Sequence, residues 1–364
     1  MQAYRKIAYS AATASFLLSY IIHNPTLSNP IYSDIVSFWY RGFDLLRVPY
    51  IEMGFEYPPI AGFLTYLAAF LGSNVLSYYT VFSLIILAFY LILIEVVVRI
   101  CAERSIGFEH VLIFLCLSPS MILYSIYNFD LIFASLLVAS IYLLERGRLS
   151  SSALTFSLAA LVKLVNLIAL PFILTRIRGL RQQIRYLAIS LSLFGAVNAI
   201  LWIMNPAFID ETYFYHVKWG LENAWFLILF PDQESWGVAK LFSIILLVYG
   251  LLKIYVLDKV ESFSQVFMVL AVFLLSSYVF TPQMVLWLLP FLAIMGRIPI
   301  PYFALELSNA AIILLWFEVQ NPLEPWSPPQ LFALLRAITL FMILLEVYLD
   351  SRRVMVDRAA ERAS

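Results

Sequence analysis

Long stretches without charge constrain this chain more than any other feature of its sequence. Charged residues make up 13% of the 364 residues and hydrophobic residues 63%, whereas soluble domains carry about a quarter charged residues. Predominantly apolar runs occur at 111–127, 186–204, 241–256 and 331–349. A helix of about 20 apolar residues crosses the hydrocarbon layer with its backbone groups bonded internally. The sequence therefore predicts an all-α, polytopic integral membrane protein.

The connections between the apolar runs differ in charge, and this difference predicts an orientation. Basic residues favour the cytoplasmic side. Arg5 and Lys6 precede the first run, and arginines at 352, 353, 358 and 362 follow the last. Further basic connections lie at 99–104, 146–148, 176–185 and 253–259. The connections at 23–56, 127–130, 205–237 and 320–330 are acidic, aromatic or proline-rich. We therefore expect cytoplasmic termini and large external loops at 23–56 and 205–237, within one domain spanning 1–364.

The number of crossings does not follow directly from the charges. Two apolar blocks, 60–71 and 75–98, lie where the charge rule requires one crossing. The run 151–175 has arginines on both sides, and it is interrupted by Lys163 and Asn166, with Pro171 after them. Both places fit short or re-entrant helices, which occur at membrane depth where protein or a cavity surrounds them. We expect about ten to thirteen membrane helices.

Ionisable residues within or beside the apolar runs are candidates for function. A charge at membrane depth costs several kcal/mol unless it is paired or hydrated. Lys163 lies within SLAALVKLVNLIALP, and Asp130 begins an apolar run in SIYNFDLIFAS. Structural explanations stay open for both residues. Lys163 can extend its ammonium to the membrane interface or be paired with a nearby acid, and Asp130 can cap the helix that it precedes.

Two later segments hold further polar groups. His216, Lys218 and Glu222 lie close together in the sequence among Trp and Phe rings, and such a set can bind a phosphate or a sugar. Gln283 lies near the start of a helix in FTPQMVLWLLPF. The structural alternatives are aromatic anchoring at the membrane interface and a helix initiated by proline.

Sequence motifs of soluble enzymes are absent from the chain. It contains no Walker loop, GxGxxG, HExxH, GxSxG or zinc-type Cys/His spacing. With three histidines in all, a histidine-based metal site is not expected. Any chemistry must therefore depend on carboxylates, and an unusual cluster of them lies in the first external loop: Asp34, Asp44, Glu52 and Glu56.

Five segments follow one another in a recognisable order. They are DIVSFWYRGFDLLRVPY at 34–50 continued by FEYPP at 55–59, NFDL at 128–131, ALVKLVNLIALP at 160–171, YHVKWGLENAW at 215–225 and TPQMVLWLLP at 281–290. Together they resemble glycosyltransferase family 87, the polyprenol-phosphate-mannose-dependent mannosyltransferases with the GT-C fold. The chain departs from that family at Asn166, where a proline is usual, and at Lys218-Trp219, where an arginine is usual.

The resemblance implies a GT-C-like fold and a transferase that takes a hexose, typically mannose, from dolichyl- or polyprenyl-phosphate. The location of the acids agrees with this, because an enzyme using nucleotide sugars needs its site on the cytoplasmic side. The implied partners are the lipid-linked donor, membrane lipid, and a glycolipid or glycan acceptor, with no nucleic acid. The implied active site faces outward.

The reaction implied by the resemblance assigns roles to individual residues. An inverting transferase needs a carboxylate to accept the proton of the acceptor hydroxyl, and we assign this role to Asp34. The leaving phosphate needs cationic donors, for which the candidates are Lys163, Lys218, His216 and Arg41. The candidates for binding sugar hydroxyls are Asp130, Glu56, Glu222 and Gln283, and Tyr57 completes the substrate-binding set.

No cofactor is required by this scheme, because lysine or arginine can hold the phosphate. A divalent cation bound by Asp34 with Glu56 or Asp130 is the alternative, since hard cations take oxygen ligands. Two other functions also stay open from the sequence. The chain can be a lipid or sugar transporter or flippase, or a non-catalytic subunit of a membrane glycosylation complex.

Overall fold

A computed structural model describes residues 2–257 and 260–363, with side chains described as far as 353. Residues 258 and 259 of the basic connection at 253–259 therefore lie outside the described residues, as do the side chains at 358 and 362. The described chain forms sixteen α-helices: α1 (Gln2–Ile22), α2 (Asp34–Trp39), α3 (Pro59–Leu71), α4 (Val75–Glu103), α5 (Glu109–Val111), α6 (Pro119–Tyr124), α7 (Asp130–Glu145), α8 (Leu149–Ala160), α9 (Leu170–Leu174), α10 (Leu180–Met204), α11 (Phe226–Leu229), α12 (Trp236–Tyr255), α13 (Ser262–Ser276), α14 (Leu289–Met295), α15 (Tyr302–Trp316) and α16 (Pro328–Ala363).

The helices fall into long and short apolar classes. Four segments are long and apolar enough to cross a membrane: Val75–Glu103, Leu180–Met204, Gln233–Tyr255 and Pro328–Arg353. Seven shorter apolar helices accompany them: Pro59–Leu71, Glu109–Tyr124, Leu149–Ala160, Leu164–Leu174, Ser262–Ser276, Pro282–Met295 and Tyr302–Trp316. This set of long and short apolar helices confirms the prediction of an all-α polytopic membrane protein. Only 17% of the apolar window is buried in α10 and in the segment that includes α12, so these two helices lie at the periphery.

Local sequence signals explain where several helices begin and end. Asn74 and Ser77 form a reciprocal capping box at the start of α4. Ser118 caps α6 and is followed by Pro119 at the first helical position. Gly296 ends α14 in the left-handed conformation that glycine adopts without strain. These caps separate apolar segments that the hydrophobic pattern alone would merge.

The apolar run 151–175 is interrupted at Lys163, as the sequence predicts. α8 ends at Ala160, Lys163 is extended, and a 3-10 helix at Leu164–Ala169 leads into α9. The Asn166 side chain donates to the carbonyl of Phe156 at 2.8 Å and satisfies an acceptor near the end of α8. The break places the extended residue Lys163 beside a cavity rather than along a continuous helix.

The first predicted external loop is folded and packed rather than loose. The Tyr50 hydroxyl bonds the carbonyls of Tyr57 at 2.7 Å and Pro58 at 2.8 Å, and it accepts from the N–H of Gly62 at 3.0 Å. A Cβ on Gly62 would lie 2.3 Å from that hydroxyl, so only glycine allows this approach. The Phe38 ring stacks on Phe129 with centroids 5.5 Å apart. These contacts hold the loop against the start of α3 and hold α2 against the start of α7.

The two large loops also contact each other. Thr212 donates to the carbonyl of Phe55 at 2.9 Å, and the Asn205 side chain donates to the carbonyl of Tyr50 at 3.0 Å. Farther along the second loop, Glu222 forms an isolated backbone bridge with Val279. The second loop therefore joins the first loop to the turn that precedes the 3-10 helix Pro282–Trp287.

Candidate active site

A cavity of about 720 Å³ lies between the two loops and the helices beneath them. Eight of the ten predicted site residues line it: Asp34, Arg41, Glu56, Tyr57, Lys163, His216, Glu222 and Gln283. These residues come from separate parts of the chain, and the fold brings them to one place. The cavity is lined on another side by apolar residues that include Ile244 and Leu247 of the peripheral helix α12.

The other two predicted residues do not line the cavity. Lys218 has a side chain that is 67% exposed and pairs with Asp210 at 3.0 Å. Asp130 is fully buried behind the cavity wall. Asp130 is also not the N-cap of α7, because that position belongs to Phe129, which makes no side-chain capping bond. The side chain of Asp130 instead holds residues that line the cavity.

Asp34 lies in the first turn of α2 and is half-buried at the cavity wall. Its Oδ2 accepts a hydrogen bond from the Asn128 amide at 2.7 Å. Burial raises the pKa of Asp34 to about 6, although hydrogen bonds from Tyr32 and Asn128 and the charge of Lys163 act in the opposite direction. A carboxylate with this pKa is ionised at neutral pH and is a stronger base than an ordinary aspartate.

Asn128 is a site residue that sequence reasoning missed. The same amide nitrogen also donates to the Tyr57 hydroxyl at 3.0 Å, while Oδ1 accepts from the N–H of Phe129 at 2.6 Å. All these contacts fix the amide, and the amide in turn fixes Asp34. The NFDL segment at 128–131 contained the signal, but an asparagine next to an acid draws less attention than the acid itself.

Lys163 is held at the cavity by an ion pair and two aromatic rings. Its Nζ lies 3.1 Å from Asp130 Oδ1, and its side chain is 11% exposed. The ammonium also lies 5.4 Å from the centroid of Tyr57 and 5.6 Å from that of Trp287. Trp287 donates from Nε1 to the same Asp130 oxygen at 2.7 Å. The lysine is thus paired, as the structural explanation expected, yet it also lines the cavity.

Arg41 and Glu56 form a two-point ion pair at the cavity rim. Arg41 Nη1 donates to Glu56 Oε1 and Arg41 Nη2 to Glu56 Oε2, each at 2.6 Å. Glu56 is 8% exposed, so its charge is neutralised by a fixed partner rather than by water. This geometry links residues before and after the turn of the first loop and leaves little of either charge for a ligand.

His216 and Glu222 contribute groups with shifted pKa values. Burial and the charge of Lys163 lower the pKa of His216 to about 4, so the ring is neutral at neutral pH and offers one N–H rather than a positive charge. Burial, and then the charge of Asp34, raise the pKa of Glu222 to about 7. Glu222 therefore shares its environment with Asp34 and is partly protonated at neutral pH.

Several polar atoms at the cavity have no hydrogen-bond partner among the described residues. They are Gln283 Oε1, Thr281 Oγ1 and Asn223 Oδ1, and Asp130 Oδ2 lies close by in the wall. Buried polar atoms are normally satisfied. Their concentration beside one cavity indicates a site that binds a polar ligand. Thr281 and Asn223 were not predicted as site residues.

Within residues 2–257 and 260–363, no group of three or more His, Cys, Asp or Glu side chains is arranged to hold a metal ion. The carboxylates at the cavity are distributed over different walls. Asp34 is bonded to Asn128 and Glu56 to Arg41. The cationic groups of the described cavity are Lys163 and Arg41.

Comparisons with known proteins bear on the family and the fold of the chain. A family model described as Glycosyltransferase family 87 matches residues 55–317. Asp34 precedes the matched residues in the sequence. The fold places it at the cavity that matched residues such as Lys163 and Glu222 also line. Among solved structures, the chain is similar to ArnT from Cupriavidus metallidurans in the apo state, with a TM-score of 0.50 and 14% sequence identity. That similarity covers 97% of this chain and 78% of the other chain, and it supports the predicted GT-C-like fold. A comparison with curated protein sequences gave no match.

Proposed function

Because the chain belongs to glycosyltransferase family 87, we propose that it transfers a hexose, mannose being typical of the family, from dolichyl- or polyprenyl-phosphate to a glycolipid or glycan acceptor. The family and the fold make the chain a membrane glycosyltransferase rather than the transporter or flippase considered from the sequence. The donor, the sugar, the acceptor and the catalytic residues are parts of the proposal.

The observation that carries the proposal is that Asp34 and Lys163 line the same cavity, beside a peripheral helix. A base and a cation are the two groups that this reaction requires. The apolar lining contributed by Ile244 and Leu247 adjoins the lipid-facing side of the fold. A donor with a polyprenyl chain can place its phosphate in the cavity while its chain stays in the bilayer.

In the proposed reaction, Asp34 accepts the proton of an acceptor hydroxyl as that oxygen bonds to the anomeric carbon. The bond between the anomeric carbon and the phosphate oxygen breaks, and the lipid phosphate leaves with the electron pair. Attack from the side opposite the phosphate inverts the configuration. Asp34 then releases its proton to water in the cavity. The base is fixed by Asn128, so the carboxylate keeps one orientation through the cycle.

Lys163 is proposed to hold the phosphate of the donor. Its ammonium is paired with Asp130 and flanked by Tyr57 and Trp287, so it is held in position before the donor arrives. His216 can add a neutral N–H to the same phosphate. Glu222, Gln283 and Thr281 provide acceptors and donors for sugar hydroxyls. Arg41 and Glu56 contribute mainly by fixing the rim, because they satisfy each other.

The acid-rich loops and their cavity are proposed to face outward, with cytoplasmic termini. The arginines between the helices support this orientation through the preference of basic connections for the cytoplasmic side. A donor built on polyprenyl phosphate suits an outward site, since nucleotide sugars are cytoplasmic.

The test uses the purified full chain in phospholipid vesicles with two labelled donors, polyprenyl-phosphate mannose and a nucleotide-linked mannose. A lipid extract supplies the acceptors. We expect label to move from the lipid-linked donor only. Transfer from the nucleotide-linked donor would contradict the proposal. The absence of transfer from either donor would favour a non-catalytic subunit.

A further inference from the structure

Arg336 is a fully buried arginine on α16 that lies outside the residues matched by the family model. A buried guanidinium is costly unless its protons are bonded, and α16 is one of the four helices able to cross a membrane. A side chain of this kind requires a specific set of partners. The partners of Arg336 lie next to the cavity, although Arg336 itself does not line it.

The guanidinium of Arg336 bonds to the backbone on both sides of the Glu222–Val279 bridge. Its Nη2 donates to the carbonyl of Asn223 at 2.6 Å and also to the carbonyl of Phe280. The guanidinium carbon lies 3.8 Å from the centroid of the Phe280 ring. One side chain thus clamps the second loop to the turn before the 3-10 helix.

The clamped bridge carries Glu222 to the cavity. The N–H of Glu222 donates to the carbonyl of Tyr278 at 3.1 Å, and the N–H of Phe280 donates to the carbonyl of Glu222 at 3.0 Å. Asn223 has a positive φ of 51°, a left-handed conformation that asparagine tolerates better than most residues. In the described part of the chain, the bridge between the second loop and the turn before the 3-10 helix has only these two backbone hydrogen bonds. Support from further contacts is therefore needed to hold it in place.

That support continues into a buried polar network. Arg336 Nη1 donates to Asn309 Oδ1 at 2.9 Å, and the Asn309 amide donates to the carbonyl of Pro282 at 3.0 Å and to Ser120 Oγ at 2.9 Å. Ser120 in turn donates from its N–H to Glu306 at 2.9 Å. The chain of bonds connects α16, α15 and α6 to the turn that precedes Gln283. The cavity wall is thereby attached to three helices.

We propose that Arg336 is a positioning residue for the transferase, holding Glu222 and the residues at 280–283 in the places where they bind the sugar. The proposal rests on the proposed function. It does not make Arg336 a catalytic residue, because Arg336 acts through the backbone of Asn223 and Phe280. A residue needed only for folding would change the amount of folded protein, whereas a positioning residue changes what the folded protein does.

The first experiment measures hydrogen exchange in the purified full chain and needs no activity. Arg336→Lys keeps a charge but cannot bond several acceptors in one plane. We expect the N–H groups of Glu222 and Phe280 to exchange about tenfold faster or more, since their bridge loses its clamp. Arg297→Gln is the matched control, because Arg297 pairs with Asp350 away from the cavity. Asn309→Ala, made in parallel, leaves Arg336 in place and should give a smaller increase at the same two amides.

Unchanged exchange of the Glu222 and Phe280 N–H groups in Arg336→Lys would overturn the proposal. Faster exchange spread evenly over the whole chain would also overturn it, because that result indicates a general loss of stability. This measurement gives its answer even if the wild-type chain transfers no sugar. Failure of the proposed function and failure of the positioning role are therefore distinguishable.

The second experiment is a double-mutant cycle in the transfer assay. We expect Arg336→Lys to lower kcat/KM about tenfold in the wild-type background and about threefold in a Glu222→Gln background, because the part of the effect that acts through Glu222 is absent there and the part that acts through residues 280–283 remains. The same tenfold loss in both backgrounds would show that Arg336 does not act through Glu222. Arg297→Gln should leave kcat/KM unchanged in both backgrounds.

Discussion

The pH dependence of transfer should report the hydrogen bond between Asn128 and Asp34. That bond, at 2.7 Å, stabilises the ionised form of Asp34. Asn128→Leu keeps a similar side-chain volume and removes the bond. Because the ionised form loses a stabilising partner, the pKa of Asp34 should rise, and the acid limb of kcat/KM should move to higher pH.

The magnitude follows from the geometry of the bond. A hydrogen bond to a charged acceptor is worth about 1.5–3 kcal/mol, and one pKa unit corresponds to about 1.4 kcal/mol. The wild-type limb should lie near the Asp34 pKa of about 6. In Asn128→Leu it should lie about one to two units higher. At pH 6 the variant should then be roughly five- to fiftyfold slower, and at pH 9 the two enzymes should converge.

The assay is initial-rate transfer from the labelled lipid donor over a range of pH. Glu222 has a pKa of about 7 and is influenced by Asp34, so the two carboxylates can titrate as a pair. Measurements are therefore repeated in a Glu222→Gln background. Tyr57→Phe is the control, since it removes the other partner of the Asn128 amide and leaves the bond to Asp34. An acid limb that stays at the wild-type position in Asn128→Leu would refute this reasoning.

Three further predictions concern the phosphate, the rim and the orientation. Lys163→Met should raise the donor KM about tenfold or more with little change for the acceptor, and Lys163→Arg should rescue it only in part; wild-type donor kinetics in Lys163→Met would make the lysine structural. Glu56→Gln should lower the apparent Tm by about 2 °C or more, because it weakens the two-point ion pair with Arg41; an unchanged melting curve would contradict this. Asn29→Cys should react with an impermeant thiol reagent added outside intact cells and Arg181→Cys should not; reversed labelling would invert the proposed orientation.

The fold class was predictable because membrane spans leave a strong signal. Predominantly apolar runs of about 20 residues cross a membrane as helices, and residues suited to helix caps, such as Asn74 and Ser118, are visible in the sequence. The break at Lys163 was also predictable, since a lysine and a proline interrupt an apolar run. The long first loop was predicted, but its packing against Phe129 and Gly62 depends on contacts between distant residues.

The candidate site was predictable only where a residue carries charge or belongs to a recognisable segment. Asp34, Lys163 and Glu222 met one of these conditions. Asn128 and Thr281 lie in the segments 128–131 and 281–290 but carry no charge, and a neutral polar side chain becomes informative only when its partners are known. Arg336 lies in an apolar helix, where one arginine resembles a residue at the membrane interface until the structure shows it buried. Lys218 is the opposite case, since its charge suggested a ligand and it pairs with Asp210 at the surface.

The central claim is that Asp34 accepts the acceptor's proton during transfer from a lipid-linked sugar. The most direct test is single-turnover transfer by purified Asp34→Asn, with Asp44→Asn as the matched control from the same loop, where Asp44 is exposed and does not line the cavity. We expect Asp34→Asn to bind the donor as the wild type does and to transfer at least about a hundredfold more slowly, while Asp44→Asn keeps the wild-type rate. Near-normal transfer by Asp34→Asn would contradict the claim.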